Sequence, residues 1–314
     1  MIVLVKRSCV DGVVKAPPSK SVTHRALACS SLADGKSELI TPLLCDDTKA
    51  TLEALKMLGT KFSFKSDKII VEGGRLKAPE REIYCRSSGT TLRFMTAVCS
   101  LVGSECKLTG NSNLMRRPIE PLLAALRQLG VECRLDDMII SVKGKPKGGE
   151  VKVYGEISSQ FISAILLIAP SCEKRTLIFC EKPSSKPYIW LTLEVQRKFG
   201  IKISGENMFE VHPQNYRPTI FKVEGDWSSA ANILAAGALC GKAAVEGLNI
   251  ESVQADKTIV EILKMMNTKV NVGGEKVVVE KSDLEAIEFD VTDCPDLFPL
   301  ACILAAQAKG ASIV

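Results

Sequence analysis

The sequence predicts an α/β (α+β) protein built from repeats of one βαβαββ unit, and three recurring features predict it. The first is a set of four alike segments, 52–59, 122–130, 193–200 and 259–267. Each reads as an amphipathic helix ending in Gly or Asn, residues that accept the left-handed conformation just past a helix end. The second is a strand pair around a polar turn after each helix: 61–65 with 68–72, 132–135 with 138–142, 202–204 with 208–211, and 269–272 with 276–280. These runs alternate or are β-branched, as strands are. The third is a small polar cluster that opens an apolar helix upstream of each pair. The clusters are Lys20 with Ser21, Ser88 with Gly89, Thr90 and Thr91, Ser158 with Ser159 and Gln160, and Ser228 with Ser229. A fifth, Pro295 with Asp296, opens 297–308. Ser159 and Ser229, read as equivalent caps, stand 229 − 159 = 70 residues apart. Self-similarity sustained at one period marks a repeated supersecondary unit. Its order is strand, buried helix, strand, amphipathic helix, strand, strand.

In chain order, Pro17 and Pro18 come first and fix an extended lead-in, because neither fits inside a helix. Ser19 follows as a cap, and the Ala- and Leu-rich run 26–32 reads as a buried helix. Lys20, Ser21 and Arg25 then fall at or just inside a helix N-terminus, where free N–H groups and the positive dipole end favour an anion. The clusters at 88–91, 158–160 and 228–229 repeat that arrangement, so each buried helix fills a core while its capped end points to a common surface. Taken singly, serines before apolar helices are plain caps, and Asp226 and Asp296 also read as caps. The fifth repeat stops at Val314 after one helix and the start of a strand. The expectation is therefore a second domain that is incomplete at its C-terminal end.

At 314 residues the chain has length for two domains, each with a sizeable core. An apolar share of 46% with only 5% aromatics describes a soluble globular protein packed with aliphatic side chains. The longest greasy segment, 161–170, is far too short to span a bilayer. Twelve cysteines are scattered singly, none in C-x-x-C, and only His24 and His212 could join them at a metal. That pattern reads as buried, reduced thiols of a cytoplasmic protein, with no metal site and no serine-protease-like triad. The net charge of +5 is spread along the chain. Nucleic-acid readers show denser basic patches with aromatic platforms, so a small anionic substrate fits better.

In these motifs the chain resembles the 5-enolpyruvylshikimate-3-phosphate synthases over essentially its whole length. The matching residues are Pro18-Ser19-Lys20-Ser21 with Arg25, Gly89-Thr90-Thr91-Leu92-Arg93, Arg116-Arg117-Pro118-Ile119, Gly155-Glu156-Ile157-Ser158-Ser159-Gln160-Phe161, Ser185-Lys186-Pro187-Tyr188, Glu224-Gly225-Asp226-Trp227-Ser228-Ser229-Ala230, and Asp296. Any one of these is weak, but seven in the family's order are specific. The resemblance implies a two-domain enolpyruvyl transferase fold with two crossover strands. One domain is 15–222, with three repeats, and the other is 1–14 plus 223–314. It implies transfer of the enolpyruvyl group of phosphoenolpyruvate to the 5-hydroxyl of shikimate 3-phosphate with release of phosphate, on the shikimate pathway to aromatic amino acids. It further implies a cytoplasmic monomer that uses neither metal nor organic cofactor.

Carried over residue by residue, the resemblance gives Lys20 and Asp296 catalytic roles. Lys20 would stabilise charge on the phosphoenolpyruvate adduct, and Asp296 would accept the 5-hydroxyl proton. Lys20, Ser21, Arg25, Ser158, Ser159, Gln160, Ser185, Tyr188 and Asp296 would hold shikimate 3-phosphate. Lys20, Gly89, Arg117 and Gln160 would hold phosphoenolpyruvate. Lys186 and Arg116 read as surface charges, Arg93 as either a structural pair or a contact, and His24 as non-catalytic. The family's lysine-glutamate-serine-aspartate-arginine and aspartate-histidine-arginine signatures do not occur here. The expectation that follows is weak binding of shikimate 3-phosphate and no turnover by residues 1–314. Two alternatives stand beside this reading. One is a UDP-N-acetylglucosamine enolpyruvyl transferase, which would need a reactive cysteine on a mobile loop. The other is a non-catalytic repeat scaffold.

Overall fold

Four mixed sheets of four strands, all assembled in the same order, carry the repeat in a computed structural model that describes Leu4, Lys6 and residues 8–314. The expected segment 1–14 thus lies partly outside the described residues, at 1–3, 5 and 7. The first repeat runs β1 (Val10–Lys15), α1 (Lys20–Leu32), β2 (Gly35–Ile40), α2 (Asp46–Met57), β3 (Lys61–Lys65) and β4 (Lys68–Gly73). The second is β5 (Ile83–Tyr84), α3 (Gly89–Ser100), β6 (Gly103–Thr109), a single turn α4 (Ser112–Met115), α5 (Glu120–Gln128), β7 (Glu132–Asp136) and β8 (Ile139–Gly144). The third is β9 (Gly149–Tyr154), α6 (Gln160–Ile168), β10 (Thr176–Glu181), α7 (Lys186–Lys198), β11 (Ser204–Gly205) and β12 (Met208–Val211). The fourth is β13 (Ile220–Lys222), α8 (Trp227–Cys240), β14 (Gly241–Glu246), α9 (Ile259–Met265), β15 (Lys269–Gly273) and β16 (Lys276–Glu280), and α10 (Phe298–Ala305) belongs to a fifth.

Within the second and third repeats the first strand pairs in parallel with the second, which pairs antiparallel with the fourth. The first and fourth repeats trade their leading strands. β1 precedes α1 yet pairs with β14, from Val10 opposite Gly241 to Lys15 opposite Glu246. β13 precedes α8 yet pairs with β2, from Ile220 opposite Glu38 to Lys222 opposite Ile40. The trade divides the chain into two units, Ser19–Val223 and, apart from it, the N-terminal segment through Pro18 with Glu224–Val314. In the fifth repeat, parallel bridges join Glu285 to Lys309 and Glu288 to Ile313 on either side of α10. That is the start of the same strand–helix–strand order.

In the larger unit the helices close a ring, α1 on α2, α2 on α3, α3 on α5, α5 on α6, α6 on α7 and α7 back on α1. α1, α3 and α6 form its interior. Residues 22–31 of α1 and 161–168 of α6 are buried without interruption; α6 accordingly reads as apolar nearly all round, whereas α1 also buries Thr23, His24, Arg25, Ser30 and Ser31. The amphipathic helices end as their sequences demand, with Gly59, Gly130, Gly200 and Asn267 at φ of 98°, 88°, 83° and 62°. All twelve cysteines are free thiols, most of them buried. Among the described residues no helix is long and apolar enough to cross a membrane, and no cluster of His, Cys, Asp and Glu could hold a metal ion.

Three expectations need correction. Ser228 and Ser229 do not cap α8. Asp226 does, its Oδ1 accepting the Ser229 N–H at 2.7 Å, because a carboxylate is a strong cap acceptor and the earlier start buries Trp227 completely. The equivalent caps are therefore Ser19, Ser88, Ser159 and Asp226, about seventy residues apart. Asp296 is likewise no cap but the middle of a 3-10 turn, Pro295–Leu297, and α10 starts after it and ends at Ala305 rather than at 308. In the third repeat the strand expected at 202–204 shrinks to Ser204–Gly205. The backbone of Lys202 is already engaged, its N–H donating to Gln214 Oε1 and its carbonyl accepting from Gln214 Nε2, both at 2.8 Å.

Candidate anion-binding site

Helices α1, α3, α6 and α7 start without a single acidic residue in the first turn, whereas α2, α5 and α9 carry Asp46 and Asp47, Glu120, and Glu261 there. Acidic side chains are favoured at that place because they offset the positive end of the helix dipole. Four helix ends of the larger unit therefore keep their positive potential for something else.

Side-chain contacts tie these ends together. Lys20 Nζ lies 3.3 Å from Asp47 Oδ2 at the start of α2. The Asp47 carbonyl accepts from Thr91 Oγ1 on α3 at 3.1 Å. At the start of α6, Gln160 donates through Nε2 to Thr90 Oγ1 at 3.2 Å and accepts through Oε1 from Arg93 at 2.5 Å. Ser163 of α6 faces the Tyr188 carbonyl of α7 at 3.5 Å. Arg25 completes the circuit, its Nη2 donating to that carbonyl and its Nη1 to the Ser21 carbonyl, each at 2.9 Å.

Apart from Lys20, which pairs with Asp47, the positive charge on this face is not neutralised from within. Arg25 is 2% exposed, its Nε donates to Thr192 Oγ1 at 2.8 Å, and its guanidinium lies over the Phe94 ring. Arg93 lies over Phe161 and also donates to the Pro118 carbonyl. Among the described residues neither of these, nor Arg117, has a carboxylate within ion-pair distance. Burial lowers Arg25 to about 10. Burial and the neighbouring Arg117 lower Arg93 to about 10 as well. Uncompensated guanidinium groups at uncompensated helix N-termini form a site for an anion.

Of the residues expected at a site, the structure gathers most in two adjoining groups of the larger unit. A methyl group built on Gly89 would stand 3.3 Å from Arg93 Nη1, 3.5 Å from Arg117 Nη1 and 4.0 Å from Gln160 Oε1. Gly89, Arg117 and Gln160 thus share one spot. Ser21, Arg25 and Tyr188 meet at the other, and Lys20 reaches α3 through Asp47, whose carbonyl accepts from Thr91. Ser158 Oγ accepts the Gln160 N–H at 3.3 Å. Ser159 and Ser185 stand at the cap positions of α6 and α7 but make no capping bond, so their hydroxyls are not spent as ordinary caps. Ser185 also sits in the left-handed region at φ 51°, and Lys182 nearby at φ 45°, a conformation that non-glycine residues keep only under constraint. Asp296 belongs to the other unit, in the turn Pro295–Leu297.

Two contributors were not among the expected site residues. Arg93 is the group that holds Gln160, and its place four residues after Gly89 on the same helix face was a usable signal. Asp47, which meets Lys20, reads in sequence only as a first-turn acid. Lys186 and Arg116 are exposed, in keeping with surface charges.

Fold and face together define a class: an α/β protein of repeated units with unpaired guanidinium groups beside helix N-termini that lack acidic residues. Comparison with known proteins narrows it. The family model described as EPSP synthase (3-phosphoshikimate 1-carboxyvinyltransferase) matches residues 4–314. A 3-phosphoshikimate 1-carboxyvinyltransferase of Methanocorpusculum labreanum is 40% identical, over 99% of this chain and 76% of its own length. One from Methanocaldococcus jannaschii is 41% identical, over 99% of this chain and 75% of its own. The solved EPSP synthase of Acinetobacter baumannii superposes with a TM-score of 0.79 at 25% identity, covering 97% of this chain and 73% of that one. The chain belongs to the EPSP synthase family, and so to the carboxyvinyl transferases.

Proposed function

We propose that this protein transfers the carboxyvinyl group of phosphoenolpyruvate to the 5-hydroxyl of shikimate 3-phosphate. The observation that carries the proposal is the set of guanidinium groups without carboxylate partners, on a face where four helix N-termini also lack acidic residues. Two phosphorylated substrates supply the missing negative charge. In the reaction the 5-hydroxyl oxygen bonds to C2 of phosphoenolpyruvate while C3 takes a proton. The tetrahedral adduct then loses phosphate and a C3 proton, restoring the double bond.

In this reading Arg117 and the backbone at Gly89 grip phosphoenolpyruvate, with Gln160 held between Arg93 and Thr90 for the purpose. Arg25, Ser21, Ser158, Ser159, Ser185 and Tyr188 hold shikimate 3-phosphate, Gln160 spans both ligands, and Lys20 meets the charge of the adduct. Asp296 takes the hydroxyl proton, a general-base role open to a carboxylate hydrogen-bonded to its substrate. The two units correspond in this proposal to domains 15–222 and 1–14 plus 223–314. The protein acts as a cytoplasmic monomer on small molecules rather than on nucleic acid, and sedimentation at the mass of a single chain checks the first point.

Calorimetric titration tests the assignment. Shikimate 3-phosphate is expected to bind saturably, and Lys20→Ala or Arg25→Ala to abolish that binding. Binding of UDP-N-acetylglucosamine instead, or binding of shikimate 3-phosphate that neither substitution disturbs, would refute it. Gly89→Ala separates the two ligands. The added methyl intrudes between Arg117 and Arg93, so phosphoenolpyruvate affinity should fall by about tenfold, roughly one charge-assisted hydrogen bond. Thermal stability should hold, because Ala is the better helix former by about 0.5–1 kcal/mol.

A further inference from the structure

Arg25 is a buried cation whose hydrogen-bond partners are all neutral. Its Nε donates to Thr192 Oγ1 at 2.8 Å, and its Nη1 and Nη2 donate to the carbonyls of Ser21 and Tyr188, each at 2.9 Å. Buried charges are ordinarily paired with opposite ones. Yet the two polar side chains that α7 buries, Thr192 and Gln196, both carry no charge and are 0% exposed.

Thr192 stands at the centre of a hydrogen-bonded knot between α1, α6 and α7. Besides accepting from Arg25, its hydroxyl lies 2.9 Å from Ser163 Oγ and 3.0 Å from the Tyr188 carbonyl. The direction of these bonds is set by chemistry. A guanidinium has no acceptor, so Thr192 must accept from Arg25 and give its own hydrogen to Ser163 or Tyr188. The Phe94 ring lies 5.4 Å from the guanidinium carbon. Of the five N–H groups of Arg25 three are spent in this way, and one remains on each Nη. Those two are what Arg25 has left for an oxyanion.

We propose that Thr192 is a positioning residue that acts through Arg25: as a neutral acceptor it fixes the guanidinium and leaves the whole charge to the oxyanion of shikimate 3-phosphate. The consequence for binding rests on the reading of Arg25 as a group that holds that ligand. A carboxylate in place of the Thr192 hydroxyl would hold the guanidinium too, but it would pair with it and compete with the incoming anion. An apolar side chain there would leave the Nε–H buried without an acceptor, and the guanidinium would turn to satisfy it.

Thr192→Val nearly keeps the shape of the side chain and removes the hydroxyl. By calorimetric titration its affinity for shikimate 3-phosphate should fall by about tenfold, roughly one hydrogen bond to a charged group. Thr192→Ser, which restores the hydroxyl, should bind within about twofold of wild type. Phosphoenolpyruvate, read as lying beside Gly89, should keep its affinity within about twofold in both variants. An unchanged affinity for shikimate 3-phosphate in Thr192→Val, a loss that Thr192→Ser does not recover, or equal losses for both ligands would make Thr192 a packing residue and overturn the proposal. Wild-type protein with isotope-labelled arginine gives a second reading by NMR that needs no variant and no ligand. The Arg25 Nε–H signal, identified by its contact with the Phe94 ring, should exchange with water more slowly than that of any exposed arginine, and rapid exchange overturns the positioning. If wild type does not bind shikimate 3-phosphate, the ligand assignment fails, whereas the Nε–H signal and its loss of protection in Thr192→Val still report on the positioning, so the two ideas fail separately.

Discussion

Acidification from pH 7.5 to pH 4.5 is expected to remove about 2–3 kcal/mol of folding stability through His24 alone. His24 is 1% exposed on α1. Its Nδ1 meets Thr51 Oγ1 at 2.8 Å, Thr51 meets Thr91 at 2.7 Å, and Thr91 meets Ser88 at 2.7 Å. Nε2 has no partner at all. Burial, then Lys20, then Arg25 lower the imidazole from 6.5 to about 3, so the folded protein holds it neutral while the unfolded chain protonates it below 6.5. The unfolded state therefore binds the extra proton between those two values. The contribution is fully present above pH 6.5 and drains away as the pH falls toward 3, for a total of about 4–5 kcal/mol. Against a whole-protein stability of about 5–15 kcal/mol this is enough to drive acid unfolding. Urea unfolding of wild type and His24→Asn at pH 7.5, 6.0 and 4.5 checks it. The variant should be the less stable at pH 7.5, and the gap should narrow by about 2–3 kcal/mol at pH 4.5. Parallel pH curves would show that His24 carries no such load.

The same residue marks the limit of what the sequence discloses. Local signals were legible wherever the chemistry is local. The left-handed stops at Gly59, Gly130, Gly200 and Asn267 follow from which residues accept positive φ. The caps at Ser19 and Ser88 follow from which side chains can accept from N3. The meeting of Gly89, Arg117 and Gln160 was legible only through the family motifs, since spacing in the chain says nothing about three residues from two repeats. Non-local choices were hidden. The partner of β1 is β14 rather than a strand of its own repeat, and the partner of Lys202 is the Gln214 side chain rather than a neighbouring strand. Burial of a charge was hidden too. His24 and Arg25 sit among polar letters that read as a solvated helix start. Each violates a local rule, and such violations concentrate where a protein functions.

Arg25 gives the sharpest separation of stability from binding. Arg25→Met is expected to weaken shikimate 3-phosphate binding by at least about thirtyfold, some 2 kcal/mol, the value of one or two hydrogen bonds to a charged group. The free protein should change by less than that. Arg25 donates to Thr192 Oγ1 and to the carbonyls of Ser21 and Tyr188, but none of these is orphaned when it leaves. Thr192 Oγ1 keeps Ser163 Oγ at 2.9 Å, and the Tyr188 carbonyl keeps Thr192 Oγ1 at 3.0 Å. The Ser21 carbonyl keeps the helical N–H bond of α1. What the substitution removes is a buried cation whose lowered value of about 10 shows that its surroundings disfavour the charge. Exchanging such a charge for an apolar side chain of similar length is often neutral or stabilising. Binding of an anion is what makes the charge worth burying, so ligand-induced stabilisation of wild type by shikimate 3-phosphate should vanish in Arg25→Met. Arg25→Lys should not restore it, because a single ammonium cannot reach three acceptors and an incoming phosphate at once. Thermal melts with and without the ligand read both quantities in one experiment, and a variant that loses free-state stability while keeping the ligand shift would make Arg25 a strut rather than an anion-binding group.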